Sequence, residues 1–209
     1  MSYAVKEIFL TLQGEGVQAG RRAVFLRLSG CNLWTGREED RASARCTFCD
    51  TDFVGMDGEN GGRYEAAALC DKVSEIWGEG SDGRLVVVTG GEPLLQLDAP
   101  LIDALHDRGF EIAVETNGTL AAPPGIDWVC VSPKAGNPLV QASGHELKLV
   151  WPQEGVDTSA LEKLDFGAFL IQPKDGEARQ EWLAEAIAFV MDNPRWRLSL
   201  QTHKLLGLP

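Results

Sequence analysis

Residues 31–51 read CNLWTGREEDRASARCTFCDT, and this stretch decides how the rest of the chain is interpreted. It holds three of the five cysteines, namely Cys31, Cys46 and Cys49. Three thiolates brought together by one loop suit a metal centre better than a disulfide, because one thiol would be left over. Four thiolates would close a structural zinc site or a cluster, whereas three leave one metal position without a protein ligand. The stretch therefore predicts a metal centre that keeps one position open for chemistry.

Composition predicts a single acidic domain, residues 1–209, in a reducing compartment. The net charge of −12 argues against broad electrostatic binding to nucleic acid or to an anionic membrane. No apolar run approaches the roughly 20 residues that span a bilayer. The first residues, MSYAVKEIF, lack the pattern of a signal peptide. An odd cysteine count without a secretion signal indicates unpaired thiols, so we expect a cytoplasmic protein.

Short apolar strands alternate with helical segments along the chain, which indicates a parallel sheet covered by helices. The predicted strands are Tyr3–Leu10, Ala23–Ser29, Arg84–Val88, Phe110–Glu115, Asp127–Val131, Glu146–Trp151, Phe166–Ile171 and Trp196–Gln201. The predicted helices are Tyr64–Trp77, Leu94–Arg108 and Ala178–Met191. A closed eight-stranded barrel takes about 250 residues. We therefore expect an α/β fold built as a partial (β/α)6 barrel with a mostly parallel sheet.

Polar clusters follow the predicted strands at the point where each strand ends. They read TGGEP at residues 89–93, ETNG at 115–118, SPK at 132–134 and QPK at 172–174. Open α/β sheets and barrels place their sites at the carboxyl ends of their strands. The glycine pair Gly90-Gly91 taken alone also fits a plain turn between a strand and a helix.

The three-cysteine loop together with the first three of these clusters resembles the radical S-adenosylmethionine (SAM) superfamily. In that family three cysteines hold a [4Fe–4S] cluster, and SAM chelates the fourth iron. The chain departs from the usual C-x3-C-x2-C spacing, since fourteen residues separate Cys31 from Cys46. The C-x2-C pair by itself also fits a zinc site or a redox pair.

Further residues narrow the resemblance to the 7-carboxy-7-deazaguanine synthase family. They are the long first cysteine interval, Gln13–Gly16, Cys49–Thr51 and the tail Gln201–Lys204. That family converts 6-carboxy-5,6,7,8-tetrahydropterin to 7-carboxy-7-deazaguanine with loss of ammonia, in the biosynthesis of queuosine and related deazapurines. The resemblance, which runs nearly end to end, implies dependence on Mg²⁺ and a homodimer. It also implies an electron donor such as flavodoxin or ferredoxin.

The resemblance assigns the cofactor residues by motif matching. Cys31, Cys46 and Cys49 are expected to hold the cluster, and the radical forms on the cofactor, so no catalytic side chain is assigned. Glycine lets backbone approach SAM closely. The residues expected to bind SAM are Phe48, Gly91, Glu92, Glu115, Asn117, Ser132, Pro133, Lys134, Gln172 and Lys174.

The substrate residues follow from the same matching and from the chemistry of a carboxylated pterin. The expected set is Leu12, Gln13, Gly14, Glu15, Arg27, Thr89, His203 and Pro209. The planar guanidinium of Arg27 can pair with a substrate carboxylate, but the sequence is equally compatible with an Arg27 that lies on an edge strand and faces water. His203, so near the end of the chain, also fits a solvated histidine. Thr51 is the expected Mg²⁺ ligand, although Asp50 is the stronger ligand by chemistry alone.

Two other classes of function remain open from the sequence. One is a different radical SAM enzyme, such as an activase that installs a glycyl radical on a partner protein. The other is a zinc-binding interaction module, which would need a fourth ligand. Cys70 and Cys130 are expected to be buried small hydrophobic residues rather than that ligand.

Overall fold

The computed structural model describes residues 2–209, and these form one nine-stranded sheet with helices. The strands are β1 (Ser2–Leu12), β2 (Arg22–Leu28), β3 (Gly62–Glu65), β4 (Leu85–Gly90), β5 (Glu111–Thr116), β6 (Trp128–Val131), β7 (Ser143–Trp151), β8 (Asp165–Pro173) and β9 (Trp196–Leu198). The α-helices are α1 (Ala66–Trp77), α2 (Ala99–His106), α3 (Thr158–Leu161), α4 (Arg179–Asp192) and α5 (Thr202–Leu206). Short 3₁₀ helices span Glu38–Ser43 and Pro93–Leu95.

The sheet runs in the order β3-β1-β2-β4-β5-β6-β7-β8-β9. Every pair from β2 to β9 is parallel, whereas β1 pairs antiparallel with both β2 and β3. The two edge strands do not meet, which confirms an unclosed, mostly parallel barrel. Within residues 2–209, no helix lies between β5 and β6 or between β6 and β7, so two of the expected β/α units lack their helix.

Alternation along the parallel strands separates the core from the site. Val24, Leu26 and Leu28 are fully buried in the main hydrophobic core, which also contains side chains from α1 and α2. Phe25 and Arg27, the residues between them, line a cavity on the other side of the sheet. Successive side chains of a strand point to opposite faces. The same alternation sends Thr89 of β4 and Glu115 of β5 into this cavity.

The helices between residues 2 and 209 are short, and their apolar sides cover the outer face of the sheet. Leu69 and Val73 of α1, Leu101 and Leu105 of α2 and Ala186 of α4 are all completely buried. None of the helices in this range is both long and apolar enough to cross a membrane. Burial of these helical stripes is the main interaction that fixes the helices on the sheet.

Three predicted elements differ from the structure. The helix predicted from Tyr64 begins at Ala66, because Tyr64 pairs with Tyr3 in the sheet. The helix predicted over 94–108 is broken, and α2 begins only after Asp98, whose carboxylate caps it by accepting from the N–H of Leu101 at 3.2 Å. The last predicted strand ends at Leu198 rather than at residue 201, and α5 follows it.

Candidate active site

Two adjoining cavities open on the inner face of the sheet, at the carboxyl ends of the parallel strands. The larger has a volume of about 310 Å³ and the smaller about 180 Å³. Six residues line both cavities: Glu15, Asp50, Thr51, Thr89, Glu115 and Gln201. The two spaces are therefore neighbours in one site, and groups bound in each of them would lie against a shared boundary.

The smaller cavity collects most of the residues predicted to bind SAM. Cys46 and Cys49 also line it. Phe48 lies near two ammonium groups, with Nζ of Lys174 at 4.6 Å and Nζ of Lys134 at 5.9 Å from the ring centroid. The predicted residues that line it are Phe48, Gly91, Glu115, Asn117, Ser132, Lys134, Gln172 and Lys174.

The other two residues predicted to bind SAM, Glu92 and Pro133, lie outside the lining of this cavity. Glu92 is 1% exposed, and burial raises the pKa of its carboxyl group. Its oxygens accept hydrogen bonds from the hydroxyl of Thr116 and the backbone N–H of Asn117, both at 2.8 Å, and from the N–H of Leu94 at 3.0 Å. The geometry gives Glu92 a structural task, which is to tie the end of β4 to the end of β5.

Gly90 and Gly91 are required by the packing of the protein itself. A Cβ on Gly90 would collide with the backbone of Leu28, and one on Gly91 would lie 2.5 Å from Cβ of Cys31 and from the carbonyl oxygen of Gly30. The end of β4 therefore runs directly against the turn that carries the first cysteine. Glycine is the residue that permits this approach.

The three loop cysteines lie near one another, but only Cys46 and Cys49 line the smaller cavity, and Cys31 lies outside its lining. Burial raises the pKa of the Cys31 and Cys46 thiols, and the proximity of the Cys49 thiol raises them further. Among residues 2–209, the one group of three potential ligands within 4.8 Å of one another does not include these cysteines. Thiolates on one tetrahedral zinc ion, at about 2.3 Å from it, would lie roughly 3.8 Å apart. Within the described residues, the three cysteines therefore do not form a preformed mononuclear site.

The other two cysteines lie elsewhere in the fold, as expected. Cys70 is completely buried in α1, and Cys130 is 1% exposed in β6. Neither lines the cavity that contains Cys46 and Cys49.

The segment between the first two cysteines packs against the C-x2-C turn. Nη1 of Arg41 donates to the carbonyl oxygens of Thr47 at 3.0 Å and Cys49 at 3.1 Å. The same guanidinium stacks 4.1 Å from the centroid of the Trp34 ring, and Trp34 in turn packs edge-on against Phe53. The insertion therefore braces the backbone that presents the last two cysteines.

The larger cavity collects seven of the eight residues predicted to bind substrate. They are Leu12, Gln13, Glu15, Arg27, Thr89, His203 and Pro209. The eighth, Gly14, lies directly behind His203, because any Cβ there would overlap the imidazole ring. The half-buried ring of His203 is thus packed on the turn after β1 rather than free in solvent.

Arg27 projects inward and has a carboxylate partner. Its Nε donates to Oε1 of Glu7 at 2.7 Å, and its side chain is 17% exposed. Glu7 stands opposite Arg27 in the antiparallel pairing of β1 with β2. Within residues 2–209 the two terminal nitrogens of the guanidinium make no hydrogen bond. They remain available to a carboxylate in the cavity.

A buried lysine that the sequence analysis missed joins the two cavities. Lys148 of β7 places Nζ 2.6 Å from Oε2 of Glu15 and 2.8 Å from Oε2 of Glu115. Burial alone would raise the pKa of Glu15, but Lys148, assisted by Gln172 and Gln201, lowers it to about 2. Burial raises the pKa of Glu115, which Lys148 opposes. The sequence did carry a signal, because Glu146 and Lys148 alternate with apolar residues in a strand read as buried.

The C-terminal segment closes the larger cavity against the cysteine loop. Nζ of Lys204 lies 2.7 Å from Oδ2 of Asp50 and 2.8 Å from Oδ2 of Asp175. The carbonyl oxygen of Pro209 accepts from the Thr11 hydroxyl at 3.2 Å. Asp50 and Thr51 both line the two cavities, and Oδ2 of Asp50 is already paired with Lys204.

Comparison with known proteins identifies the group to which the chain is related. Residues 41–147 match the model of the radical SAM superfamily. The chain is 63% identical over its full length to the complete 7-carboxy-7-deazaguanine synthase of Caulobacter vibrioides. It is 60% identical, again over the whole of both chains, to the enzyme of the same name from Bordetella pertussis.

A solved structure agrees with these relatives. The crystal structure of QueE from Escherichia coli superposes with a TM-score of 0.71 at 26% identity, and covers 96% of this chain and 94% of that one. The family assignment is supported by the full-length identity, by the superfamily match and by the open parallel barrel. The chain belongs to the 7-carboxy-7-deazaguanine synthase family of the radical SAM superfamily.

Proposed function

We propose that this chain converts 6-carboxy-5,6,7,8-tetrahydropterin to 7-carboxy-7-deazaguanine with loss of ammonia. The observation that carries the proposal is the larger cavity, where acceptors for a pterin and a cation for its carboxylate converge. Gln13 and Glu15 supply the acceptors, and Arg27 supplies the cation. Loss of ammonia accounts for every atom that distinguishes substrate from product, so the reaction needs no net oxidant.

The smaller cavity fits the two cofactors of the superfamily, a [4Fe–4S] cluster and SAM. When bound and reduced, they supply a carbon-centred radical that removes a hydrogen atom from the substrate. Phe48 offers an aromatic face to the adenine. Lys134, whose Nζ lies 2.7 Å from both the hydroxyl and the carbonyl oxygen of Ser132, offers a charge for the carboxylate of SAM. Glu115 and Asn117 line the side proposed for the ribose.

In the larger cavity the protein positions the pterin. The free terminal nitrogens of Arg27 pair with the substrate carboxylate, and His203 and Thr89 contribute further polar contacts. Pro209 lines the same cavity and is proposed to contact the pterin there. Together with the packed C-terminal segment, these groups hold the substrate beside the shared boundary and limit the access of water.

Mg²⁺ fits at Thr51, which lines both cavities. Magnesium prefers hard oxygen ligands and retains several waters, so one hydroxyl together with the substrate carboxylate suffices to place it. We further propose that a flavodoxin or ferredoxin delivers the electron and that the protein acts as a homodimer. Both assignments rest on the family resemblance.

The test is an anaerobic assay of the reconstituted protein with dithionite, SAM, Mg²⁺ and 6-carboxytetrahydropterin, followed by mass spectrometry. We expect 7-carboxy-7-deazaguanine in excess over the SAM consumed. Cys49→Ala should bind less iron and form no product, whereas Cys70→Ala, a matched substitution in α1, should retain both. Release of 5′-deoxyadenosine without the deazapurine would overturn the proposed substrate and favour an activase.

A further inference from the structure

Lys148 is the cation of a buried anionic cluster at the boundary between the two cavities. Its side chain is 4% exposed, and those of Glu15 and Glu115 are 19% and 18% exposed. The three residues come from different elements, since Lys148 lies on β7, Glu115 on β5 and Glu15 in the turn after β1. An ammonium group at 2.6 and 2.8 Å from two carboxylates makes a short, charge-assisted bridge between them.

The groups around this bridge are mostly acidic, and they need the positive charge of Lys148 to offset their mutual repulsion. Glu115, Cys130 and Glu146 offer potential ligand atoms that all lie within 4.8 Å of one another. Glu146 is 1% exposed and accepts from the backbone N–H of Val17 at 2.6 Å. Carboxylates this close and this buried repel one another strongly unless a positive charge lies between them. Burial would lower the pKa of Lys148, but Cys130, Glu115, Glu15 and Glu146 together raise it well above its ordinary value.

The bridge also fixes the remaining hydrogen bonds of both carboxylates. Oε1 of Glu15 accepts from Nε2 of Gln201 at 3.0 Å, and Oε1 of Glu115 accepts from Nε2 of Gln13 at 3.2 Å. Each carboxylate oxygen has a second lone pair, so Glu15 can still accept from a ligand in the larger cavity. Its position and charge, however, depend on Lys148.

We propose that Lys148 is a positioning residue, which orients the carboxylates of Glu15 and Glu115 across the two cavities and keeps Glu15 as a charged acceptor for the N–H groups of the pterin. The inference rests on the proposed function, because it takes the pterin as the ligand of the larger cavity. It adds a residue outside the cluster, SAM and substrate sets, and it explains how one side chain couples the two halves of the site.

The sign of the expected pH effect follows from the causes acting on Glu15. A carboxyl group whose pKa is about 2 stays charged at every pH above roughly 4, so pterin affinity in the wild type should not depend on Glu15 between pH 6 and 8. Without Lys148, burial and the repulsion of the nearby Glu115 raise that pKa, and Glu15 takes up a proton as the pH falls. Cys130, Lys134 and His203 also face this region, and the charge of Lys148 acts to lower the pKa of each. Assigning the effect to Glu15 therefore requires a variant that lacks both Glu15 and Lys148.

The experiment measures the dissociation constant of 6-carboxytetrahydropterin by anaerobic calorimetry on the reconstituted enzyme with SAM. For Lys148→Met we expect binding that is weaker at pH 6 than at pH 8, relative to wild type, with a loss of up to about tenfold for each pH unit below the pKa that Glu15 has in the variant. Lys148→Arg keeps the charge and should restore a flat profile. The double variant Glu15→Gln/Lys148→Met should lose the added pH dependence, which assigns it to Glu15.

Lys72→Met on the surface of α1 is the matched control and should behave as wild type. A Lys148→Met enzyme with a wild-type pH profile would overturn the inference while leaving the proposed function intact. A pH dependence of pterin affinity that persists in the double variant would also overturn the inference. If Lys148→Met fails to fold, a pH-dependent affinity in Lys148→Arg would overturn it instead. A wild-type enzyme that binds no pterin at either pH would instead overturn the proposed function.

Discussion

The two cavities are built by different parts of the fold, although they share a boundary. The walls of the smaller cavity come mainly from the carboxyl ends of adjacent parallel strands, from β4 to β8. The larger cavity is formed by β1 and β2 at one end of the chain and by His203, Lys204 and Pro209 at the other. Neighbouring strands thus assemble one half of the site, and contacts between the two ends of the sequence assemble the other.

The interactions that fix the two cavities differ in the same way. Glu92 anchors the smaller cavity as a fully buried acceptor of three hydrogen bonds, and loss of such a group leaves buried donors unpaired. The larger cavity depends on ion pairs that reach solvent, as at Lys204 with Asp50 and Asp175. We therefore expect substitutions around the larger cavity to change pterin affinity with little effect on SAM.

Arg27→Met is the strongest test of this separation. Loss of a hydrogen bond to a charged group costs about 1.5–3 kcal/mol, so the KM for the pterin should rise roughly 10- to 150-fold. SAM affinity should remain unchanged, because Arg27 lines only the larger cavity. Arg22→Met on the same strand, where the guanidinium lies 4.4 Å from the Trp77 ring centroid, is the matched control. Equal losses of pterin and SAM affinity would show that the two cavities are not independent.

Arg41→Ala tests whether the smaller cavity also relies on a part outside the sheet. Removal of its hydrogen bonds to the Thr47 and Cys49 carbonyls frees the C-x2-C turn. If the lost hydrogen bonds stabilise the turn by about 1 kcal/mol, a chelator should remove the cluster from the variant roughly five times faster than from wild type. Loss of visible absorbance over time measures it. Arg37→Ala is the control on the same loop, since that side chain is 71% exposed and lies 3.9 Å from Glu39. Equal rates of cluster loss from the two variants would show that the insertion connects the cysteines without stabilising the cluster.

The difference between the cavities explains how far the sequence could predict the site. The strand ends, the three cysteines and the open parallel barrel could be predicted because each depends on short segments: apolar strands, the polar clusters after them, and one loop. Eight of the ten residues predicted to bind SAM line one cavity for this reason. Glu92 lies in the same motif but points into the protein, and a motif alone does not distinguish a ligand contact from a structural one.

The partners in the larger cavity depend on register, which the sequence does not display. The pairing of β1 with β2 shifts between Val5 and Glu7, and this bulge sets Glu7 opposite Arg27. It also leaves Lys6 out of the pairing, and Nζ of Lys6 reaches Asp52 and Asp57, both at 2.8 Å. Lys148 was missed for a related reason: its alternation with Glu146 indicates a charged inner face of β7, but its partners Glu15 and Glu115 lie on other elements that the sheet brings beside it.

Lys204→Met should give the smallest effect and tests whether the closure of the larger cavity is as weak as its ion pairs suggest. Exposed ion pairs of this kind contribute about 0.2–0.5 kcal/mol each, so loss of the two pairs, about 0.4–1 kcal/mol together, should raise the KM for the pterin roughly two- to fivefold. High salt should raise the wild-type KM in the same direction, because it screens these pairs. Lys72→Met removes the comparable 2.6 Å pair with Glu75 on α1 and should leave the KM unchanged. A rise of tens of fold would mean that Lys204 alone holds His203 and Pro209 in place, and that the closure is far stronger than its exposed ion pairs imply.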